Sequence, residues 1–175
     1  GVGEHDCSPD CSPVCSPEFP YFKDNVIGKI RTAIAENPKI TEFENIENGY
    51  ISFDYEDDCE FMLDGSEQDL IQRECRGLIV SSTTGEVIAR RFHKFFNINQ
   101  NEISDEATVD FESNFHKYRI YQKLDGSLVS PIPINSTEYV WATRRSTIEI
   151  NPTLITPSIK SLVENCISKG YTPLF

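Results

Sequence analysis

Apolar residues recur at helical spacing near the start of the globular part of the chain. Positions three or four residues apart lie on one face of an α-helix, so this spacing predicts an amphipathic helix. Pro38 follows closely and cannot continue a helix, which predicts that the helix ends before it. The apolar stripe consists of Val26, Ile27, Ile30, Ala33 and Ile34.

Residues 51–55 show a different pattern, in which apolar and polar side chains alternate. Such alternation predicts a strand with one buried face, because successive side chains of a strand point to opposite sides. Two further apolar runs, residues 78–80 and 87–89, flank the turn sequence Thr84-Gly85. Two such runs on either side of a glycine-containing turn predict a β-hairpin.

A second hairpin is predicted around Asp125-Gly126, because residues 118–123 and 128–134 flank this dipeptide in the same way. Residues 139–143 are then predicted as the next strand. Together these segments indicate a mainly antiparallel sheet.

The last predicted element is a helix that starts after Thr156 and ends at Gly170. Threonine is a favourable N-cap, Pro157 suits the first helical position, and glycine commonly follows the last turn. Helices flanking a mainly antiparallel sheet give the class α+β. The apolar stripe of this helix consists of Ile159, Leu162, Val163, Cys166 and Ile167.

Composition narrows the function classes. The chain has 175 residues, enough for one domain, and a formal net charge of −12. The acidic excess lies in residues 36–74, whereas residues 117–145 are net positive, so an anion-binding face is possible in the second half despite the acidic total. The charge argues against tight nonspecific nucleic-acid binding by this segment alone. No apolar run is long enough to cross a membrane and no secretory signal is visible, so we expect a cytoplasmic or nuclear protein.

Residues 1–18 are predicted to be a low-complexity Cys-Ser-Pro tail, followed by a globular domain over residues 19–175. Cys7, Cys11 and Cys15 recur every fourth residue, each followed by Ser-Pro. This spacing is not the usual zinc pattern, although His5 could supply a fourth ligand, so zinc is the less favoured alternative. The remaining cysteines, Cys59, Cys75 and Cys166, are expected to be reduced thiols.

The most informative local sequence is YQKLDGSLVS, residues 121–130. It places the primary amine of Lys123 two residues before Asp125-Gly126, at the mouth of the predicted hairpin. Such an amine can serve as a nucleophile, provided that nearby cations or a metal ion favour its neutral form. Taken alone, the same sequence also fits a solvated lysine beside an ordinary turn.

Two further segments change that balance when they are considered together with the lysine motif. Residues 74–97 read ECRGLIVSSTTGEVIARRFHKFFN, and residues 139–146 read YVWATRRS, on either side of the lysine motif. This order and close spacing resemble the nucleotidyltransferase half of the RNA ligase 1 family, best known from bacteriophage. The resemblance spans roughly residues 19–175.

The resemblance implies that Lys123 attacks the α-phosphorus of ATP, expels pyrophosphate and holds AMP as a phosphoramidate. The same resemblance gives the basic residues of the ECRG and KFFN segments a role in the triphosphate chemistry, with help from Mg²⁺. In the segment after the hairpin an arginine takes the place of a family lysine. The nucleotide-binding residues implied in this way are Arg76, Lys94, Asp125, Gly126 and Arg144.

For four other residues of these segments the alternatives stay open. Glu74, Phe95 and Phe96 match the family by identity only, and each fits a direct ligand role about as well as a structural one. The structural roles would be a carboxylate at the rim of the site and two core aromatic residues. His93 has no family role and is expected to be a strand-end residue rather than a catalytic base.

The implied function is an ATP-dependent RNA ligase that joins RNA 5′-phosphate and 3′-hydroxyl ends. Two alternatives remain: another lysine nucleotidyltransferase such as a DNA ligase or capping enzyme, and a noncatalytic nucleotide- or RNA-binding module. The family continues beyond the GYTPLF sequence to later motifs, so the 175-residue chain is expected to be a partial domain that labels poorly with ATP. No Mg²⁺ ligands and no oligomeric state are predicted.

Overall fold

The computed structural model describes residues 19–175, and the predictions for the Cys-Ser-Pro tail lie outside the described residues. Four helices and seven strands occur in this part of the chain. In chain order they are α1 (Val26–Ile34), β1 (Ile40–Asn45), β2 (Tyr50–Tyr55), α2 (Glu67–Glu74), β3 (Leu78–Ser81), β4 (Val87–Ala89), α3 (Glu102–Ser113), β5 (Ser130–Pro133), β6 (Tyr139–Ala142), β7 (Thr147–Ile148) and α4 (Pro157–Ser168).

The strands form two antiparallel sheets. The first sheet has the order β1-β2-β3-β4 and the second the order β5-β6-β7, so neighbouring strands in each sheet are also neighbours in sequence. Antiparallel sheets with separate helices confirm the predicted α+β class. Among the described residues, no helix is both long and apolar enough to cross a membrane.

The first sheet has two buried faces. One face packs against α1 and α2 and forms a core that includes Ile30, Phe53 and Leu78. The opposite face contributes Ile79 to a second, smaller core, to which Ile132 of the second sheet also belongs. Because β3 supplies both cores, its residues Leu78–Val80 are all buried, which agrees with the apolar run predicted there.

Several predicted elements are confirmed. Helix α1 begins and ends close to the predicted stripe, and β3 and β4 pair around Thr84-Gly85. Helix α4 begins as predicted, because the Thr156 hydroxyl accepts a hydrogen bond from the Ile159 N–H. Its end is also as predicted, since Gly170 has a φ of 78° and the Tyr171 N–H donates to the Cys166 carbonyl.

The prediction of a hairpin around Asp125-Gly126 is wrong. Residues 118–129 contain no strand, and β5 pairs only with β6 among the described strands. Pro131 and Pro133 lack the N–H groups that a second neighbour would need on the free edge of β5. At that edge Val129 instead exchanges two backbone hydrogen bonds with Phe175, with N···O distances of 3.0 and 2.9 Å.

Candidate functional site

The residues predicted to bind a nucleotide fall on two supports. Arg76 follows α2, and Arg144 lies in the turn between β6 and β7. Lys94 lies in the irregular segment after β4, but its backbone N–H donates to the carbonyl of Arg73 in α2. Lys123 and its motif lie in residues 118–129, which have no regular structure. The two supports differ in how their side chains are held.

An ion pair that is largely buried fixes the ECRG segment. Both carboxylate oxygens of Glu74 accept hydrogen bonds from the Arg90 guanidinium, at 2.8 and 2.5 Å. The Glu74 side chain is 3% exposed, so of the two alternatives left open for this residue, that of an exposed carboxylate at the rim of the site is wrong. This geometry joins the end of α2 to the residue after β4, and it gives Glu74 a structural role.

A second buried arginine joins the two sheets. Arg91 donates to the Ser130 hydroxyl at 2.7 Å and to the carbonyls of Gly77 and Ala142 at 3.1 and 3.4 Å. Burial lowers the pKa of Arg91 to about 10. The sequence analysis missed this residue, although the Arg-Arg doublet after an apolar strand was the one signal for it.

Gly77 makes this arrangement possible. Its φ is +68°, and a Cβ atom there would lie 2.4 Å from Arg91 Nη1 and 2.9 Å from the backbone oxygen of Arg144. A side chain would therefore push apart the two sheets as well as strain the backbone. The glycine of the ECRG segment is explained by this close approach.

Lys94 lies in a group of three aromatic rings, which we call the aromatic cage: Tyr55, Phe61 and Phe96. The Lys94 ammonium lies 5.5, 6.0 and 5.3 Å from the respective ring centroids. Among the described residues it forms no ion pair, although its backbone N–H donates to the Arg73 carbonyl at 2.8 Å. The cage holds a positive charge without neutralising it.

Arg76 is held in a comparable way. Its guanidinium lies 5.2 Å from the Phe95 ring centroid and donates to the Phe92 carbonyl at 3.5 Å. No carboxylate of the described part of the chain pairs with it. Phe95 is 58% exposed, so the expectation of a core residue is wrong for Phe95, whereas Phe96 is half-buried.

Arg144, by contrast, is already paired. It donates to Asp54 at 2.7 Å and to the Tyr55 carbonyl at 2.5 Å, and its guanidinium lies 4.2 Å from the Tyr55 ring centroid. The Tyr55 ring therefore lies close to both Arg144 and Lys94, so the structure places these two predicted site residues beside the same aromatic side chain. A phosphate would have to compete with Asp54 for Arg144.

Within the described residues, Lys123 makes no contact with Lys94, Arg76 or Arg144. Its side chain is 90% exposed, and its one recorded polar contact within residues 19–175 is with the Asp125 carboxylate, 3.9 Å away. Asp125 is itself fully exposed, and a Cβ on Gly126 would meet nothing within 4 Å. The lysine motif is therefore accessible but is held in place by none of the other predicted site residues.

His93 and Cys59 lie near this cluster and titrate abnormally. Burial lowers the pKa of His93, an effect that the charge of Glu74 opposes. Burial raises the pKa of Cys59, partly offset by its hydrogen bond with Asn37 and by the charge of Lys94. His93 extends no regular strand, so its expected place at a strand end is wrong.

The described residues fit a nucleotide better than a metal held by protein side chains alone. No group of three or more His, Cys, Asp and Glu residues among them is arranged to hold a metal ion. Mg²⁺ commonly binds through the phosphates of its nucleotide and one or two carboxylates, which requires no such group. The unneutralised cations Lys94 and Arg76 suit phosphate oxygens.

Comparisons with known proteins agree with this chemistry. A sequence model of the RNA ligase family matches residues 74–174, which contain Arg76, Lys94, Lys123 and Arg144. A protein of Thermovibrio ammonificans named "Putative RNA ligase" is 28% identical over 110 residues. A protein of Autographa californica nuclear polyhedrosis virus named "Putative bifunctional polynucleotide kinase/RNA ligase" is 34% identical over 93 residues.

The matched segments are a small part of both relatives. They cover 60% of this chain and 28% of the Thermovibrio protein, and 51% of this chain and 13% of the viral protein. The similarity therefore concerns one region of each relative and leaves most of its length unmatched.

Proposed function

The chain belongs to the RNA ligase family, and from this we propose that it is the adenylylating part of an ATP-dependent RNA ligase with Lys123 as the nucleophile. The observation that carries the proposal is a pair of cations that have no carboxylate partner within residues 19–175. In a chain of net charge −12, Lys94 and Arg76 keep their charge available while aromatic rings hold them in place. Triphosphate oxygens are the natural partners of such a pair.

The proposed reaction has three steps. The neutral amine of Lys123 attacks the α-phosphorus of ATP, a P–N bond forms, the bond to pyrophosphate breaks and the amine loses its proton. An RNA 5′-phosphate oxygen then attacks the same phosphorus, which breaks the P–N bond and leaves AMP on the RNA end. Finally the 3′-hydroxyl of the other end attacks the 5′-phosphate, and AMP leaves.

Three residues of this chain have a part in the first step: Lys94, Arg76 and Lys123. Lys94 and Arg76 would bind the triphosphate and stabilise the charge that develops on pyrophosphate. Bound Mg²⁺ would supply further charge neutralisation on the phosphates. Because Lys123 lies on an exposed segment, the first step requires residues 118–129 to move onto the bound nucleotide.

Self-labelling tests the proposal. The polypeptide of the complete coding sequence that contains this chain, and the 175-residue chain beside it, are incubated with α-labelled ATP and Mg²⁺. We expect an acid-labile adduct on the former that is lost in Lys123→Ala. Lys117→Ala, at an exposed lysine outside the motif, serves as the matched control and should label normally.

The other outcomes distinguish the alternatives. Labelling with GTP instead of ATP indicates a capping-type transferase, and sealing of DNA instead of RNA ends indicates a DNA ligase. Equal labelling of Lys123→Ala and the wild type rejects Lys123 as the nucleophile. Absence of any adduct on the complete polypeptide rejects the enzyme in favour of a noncatalytic nucleotide- or RNA-binding module.

A further inference from the structure

Two exposed phenylalanines lie beside the guanidinium of Arg76, which pairs with no carboxylate of residues 19–175. Phe92 is 54% and Phe95 58% exposed, and their rings meet edge to face with centroids 6.5 Å apart. Both belong to the segment between β4 and α3, which has no regular structure. Large aromatic side chains left in solvent at such a place are candidates for contact with a ligand.

The backbone that carries these rings is held on both sides. The neighbouring Arg91 is buried and bonded to both sheets, and the Lys94 N–H donates to the Arg73 carbonyl at 2.8 Å. The two rings therefore project from a fixed support, which lowers the entropic cost of binding a ligand to them.

Arg76 adds a positive charge to the same surface. It contacts the Phe95 ring and the Phe92 carbonyl, and it has no carboxylate partner within the described part of the chain. Aromatic rings next to a free guanidinium suit a single-stranded nucleic acid, because bases stack on the rings while the cation attracts phosphate.

Another exposed phenylalanine, Phe43, lies in surroundings of the opposite charge. Phe43 on β1 is 67% exposed and lines an open cleft of about 580 Å³. The charged residues of that cleft are four carboxylates and Arg145, which already pairs with Asp54 and Asp57. Exposure alone is thus common to both surfaces, whereas a free cation accompanies only Phe92 and Phe95 in this comparison.

We propose that Phe92 and Phe95, with Arg76, form a platform on which unpaired nucleobases of the RNA strand stack. The assignment rests on the proposed function, which makes RNA the second substrate. Arg76 would contact the triphosphate in the first step and, once pyrophosphate has left, would be free to meet a phosphate of the RNA. The platform therefore favours a strand whose bases near the 5′-phosphate are unpaired.

The test compares two RNA probes on matched variants of the protein. One probe is a dye-labelled, 5′-phosphorylated, single-stranded oligoribonucleotide. The other has abasic residues in its first nucleotides but the same phosphates. Fluorescence anisotropy at low salt measures the affinity of each probe for the wild type, Phe92→Leu and Phe95→Leu, with Phe43→Leu as control and Phe95→Tyr as the variant that restores a ring.

We expect the wild type to bind the intact strand roughly tenfold or more tightly than the abasic strand, the loss associated with one stacked base. In Phe92→Leu and Phe95→Leu this preference should largely vanish, whereas Phe43→Leu and Phe95→Tyr should keep it. Circular dichroism checks that each variant is folded. Because all three substituted positions are exposed, folding should be unaffected.

Three results would overturn the assignment: no binding of the intact strand by the wild type, equal binding of both probes, or an unchanged preference in both leucine variants. The assignment would also be overturned if a blunt RNA duplex bound as tightly as the intact single strand, since the bases of a duplex are not available for stacking. An unchanged preference in both leucine variants, or an equal preference for the duplex, would leave the rings as a contact for another protein or another part of the polypeptide.

Failure of this proposal is distinguishable from failure of the proposed function. Self-labelling with ATP requires no RNA, so a protein that labels through Lys123 but shows no ring-dependent preference rejects the platform alone. A protein that fails to label but discriminates the probes through Phe92 and Phe95 rejects the enzyme and retains an RNA-binding surface.

Discussion

The segment of residues 74–97 and the segment of residues 118–129 both carry family motifs, yet the structure holds them in opposite ways. The first contains the buried Arg91, the largely buried ion pair of Glu74 with Arg90, two cations set against aromatic rings, and a glycine at a close approach between the sheets. The second is exposed along residues 118–128 apart from a half-buried Tyr118. Within the described part of the chain, the one polar contact of Lys123 is with its near neighbour Asp125.

In the proposed adenylylation, this contrast separates two tasks. Groups that bind a triphosphate work best when they are fixed before the ligand arrives, because no free energy is then spent on ordering them. A nucleophile that must reach the α-phosphorus only after the nucleotide is bound can lie on a segment that closes later. We therefore expect substitutions of the buried or closely packed residues of the first segment to change folding stability, and substitutions in the second segment to change only the ligand-bound state.

The largest expected effect is on Gly77. Replacing Gly77 with alanine strains a backbone with φ of +68° and places a methyl group against Arg91 and the Arg144 backbone. We expect the free energy of unfolding to fall by about 3 kcal/mol or more, since backbone strain and overpacking add. Urea denaturation of the purified chain measures the change.

Gly85→Ala is the matched control for this prediction. Gly85 has a similar φ of +74°, but a Cβ there meets nothing within 4 Å. It should cost about 1 kcal/mol, the strain alone. Equal losses at Gly77 and Gly85 would show that the close approach of the two sheets contributes nothing to stability.

A smaller effect is expected at the buried ion pair of the same segment. Arg90→Met removes the partner of Glu74, whose side chain is 3% exposed, and leaves a buried carboxylate. Since Arg90 itself is 26% exposed, water can reach part of the site, and we expect a loss of about 2 kcal/mol, measured by urea denaturation.

Arg31→Met offers a control with the same geometry on the surface. Arg31 also makes two hydrogen bonds of 2.8 Å to one carboxylate, that of Glu42, but the two side chains are 52% and 37% exposed. Solvent screens this pair, so the loss should be about 0.5 kcal/mol. If both variants lose the same amount, burial of the Glu74 pair does not distinguish the first segment.

The sequence predicts an element of this fold well when local sequence patterns specify it, and poorly when contacts with distant residues do. Helix α1 and the β3–β4 hairpin follow from local patterns, because their buried residues are apolar and their turn residues are adjacent. Helix α2 was not predicted, since its buried positions include the polar residues Asp69, Gln72 and Glu74. The hairpin at residues 118–134 was predicted from the apolar runs that flank Asp125-Gly126, and it is wrong because two prolines leave the free edge of β5 without N–H donors.

The candidate site divides in the same way. The residue types that could meet phosphate were predictable from motif order, which the family match over residues 74–174 supports. Their partners were not, because the contacts join distant parts of the chain: Arg144 pairs with Asp54 across 90 positions, and Arg91 meets Ala142 across 51. Only the folded sheets bring such pairs together.

The smallest expected effect on the free protein, and the sharpest test of the contrast, is at Asp125. Its carboxylate is fully exposed and lies 3.9 Å from an equally exposed ammonium, a pair that solvent screens almost completely. Asp125→Asn should therefore leave the thermal unfolding midpoint of the free protein unchanged within error. If the motif acts only when a nucleotide is bound, the same variant should lose most of the lysine adduct and gain less stability than the wild type on addition of ATP and Mg²⁺.

A lowered midpoint without nucleotide would show that residues 118–129 are packed in the free protein, contrary to the structure. Unchanged labelling would show that Asp125 has no part in the reaction, and either result would remove the division between a prepared binding surface and a segment that closes over it.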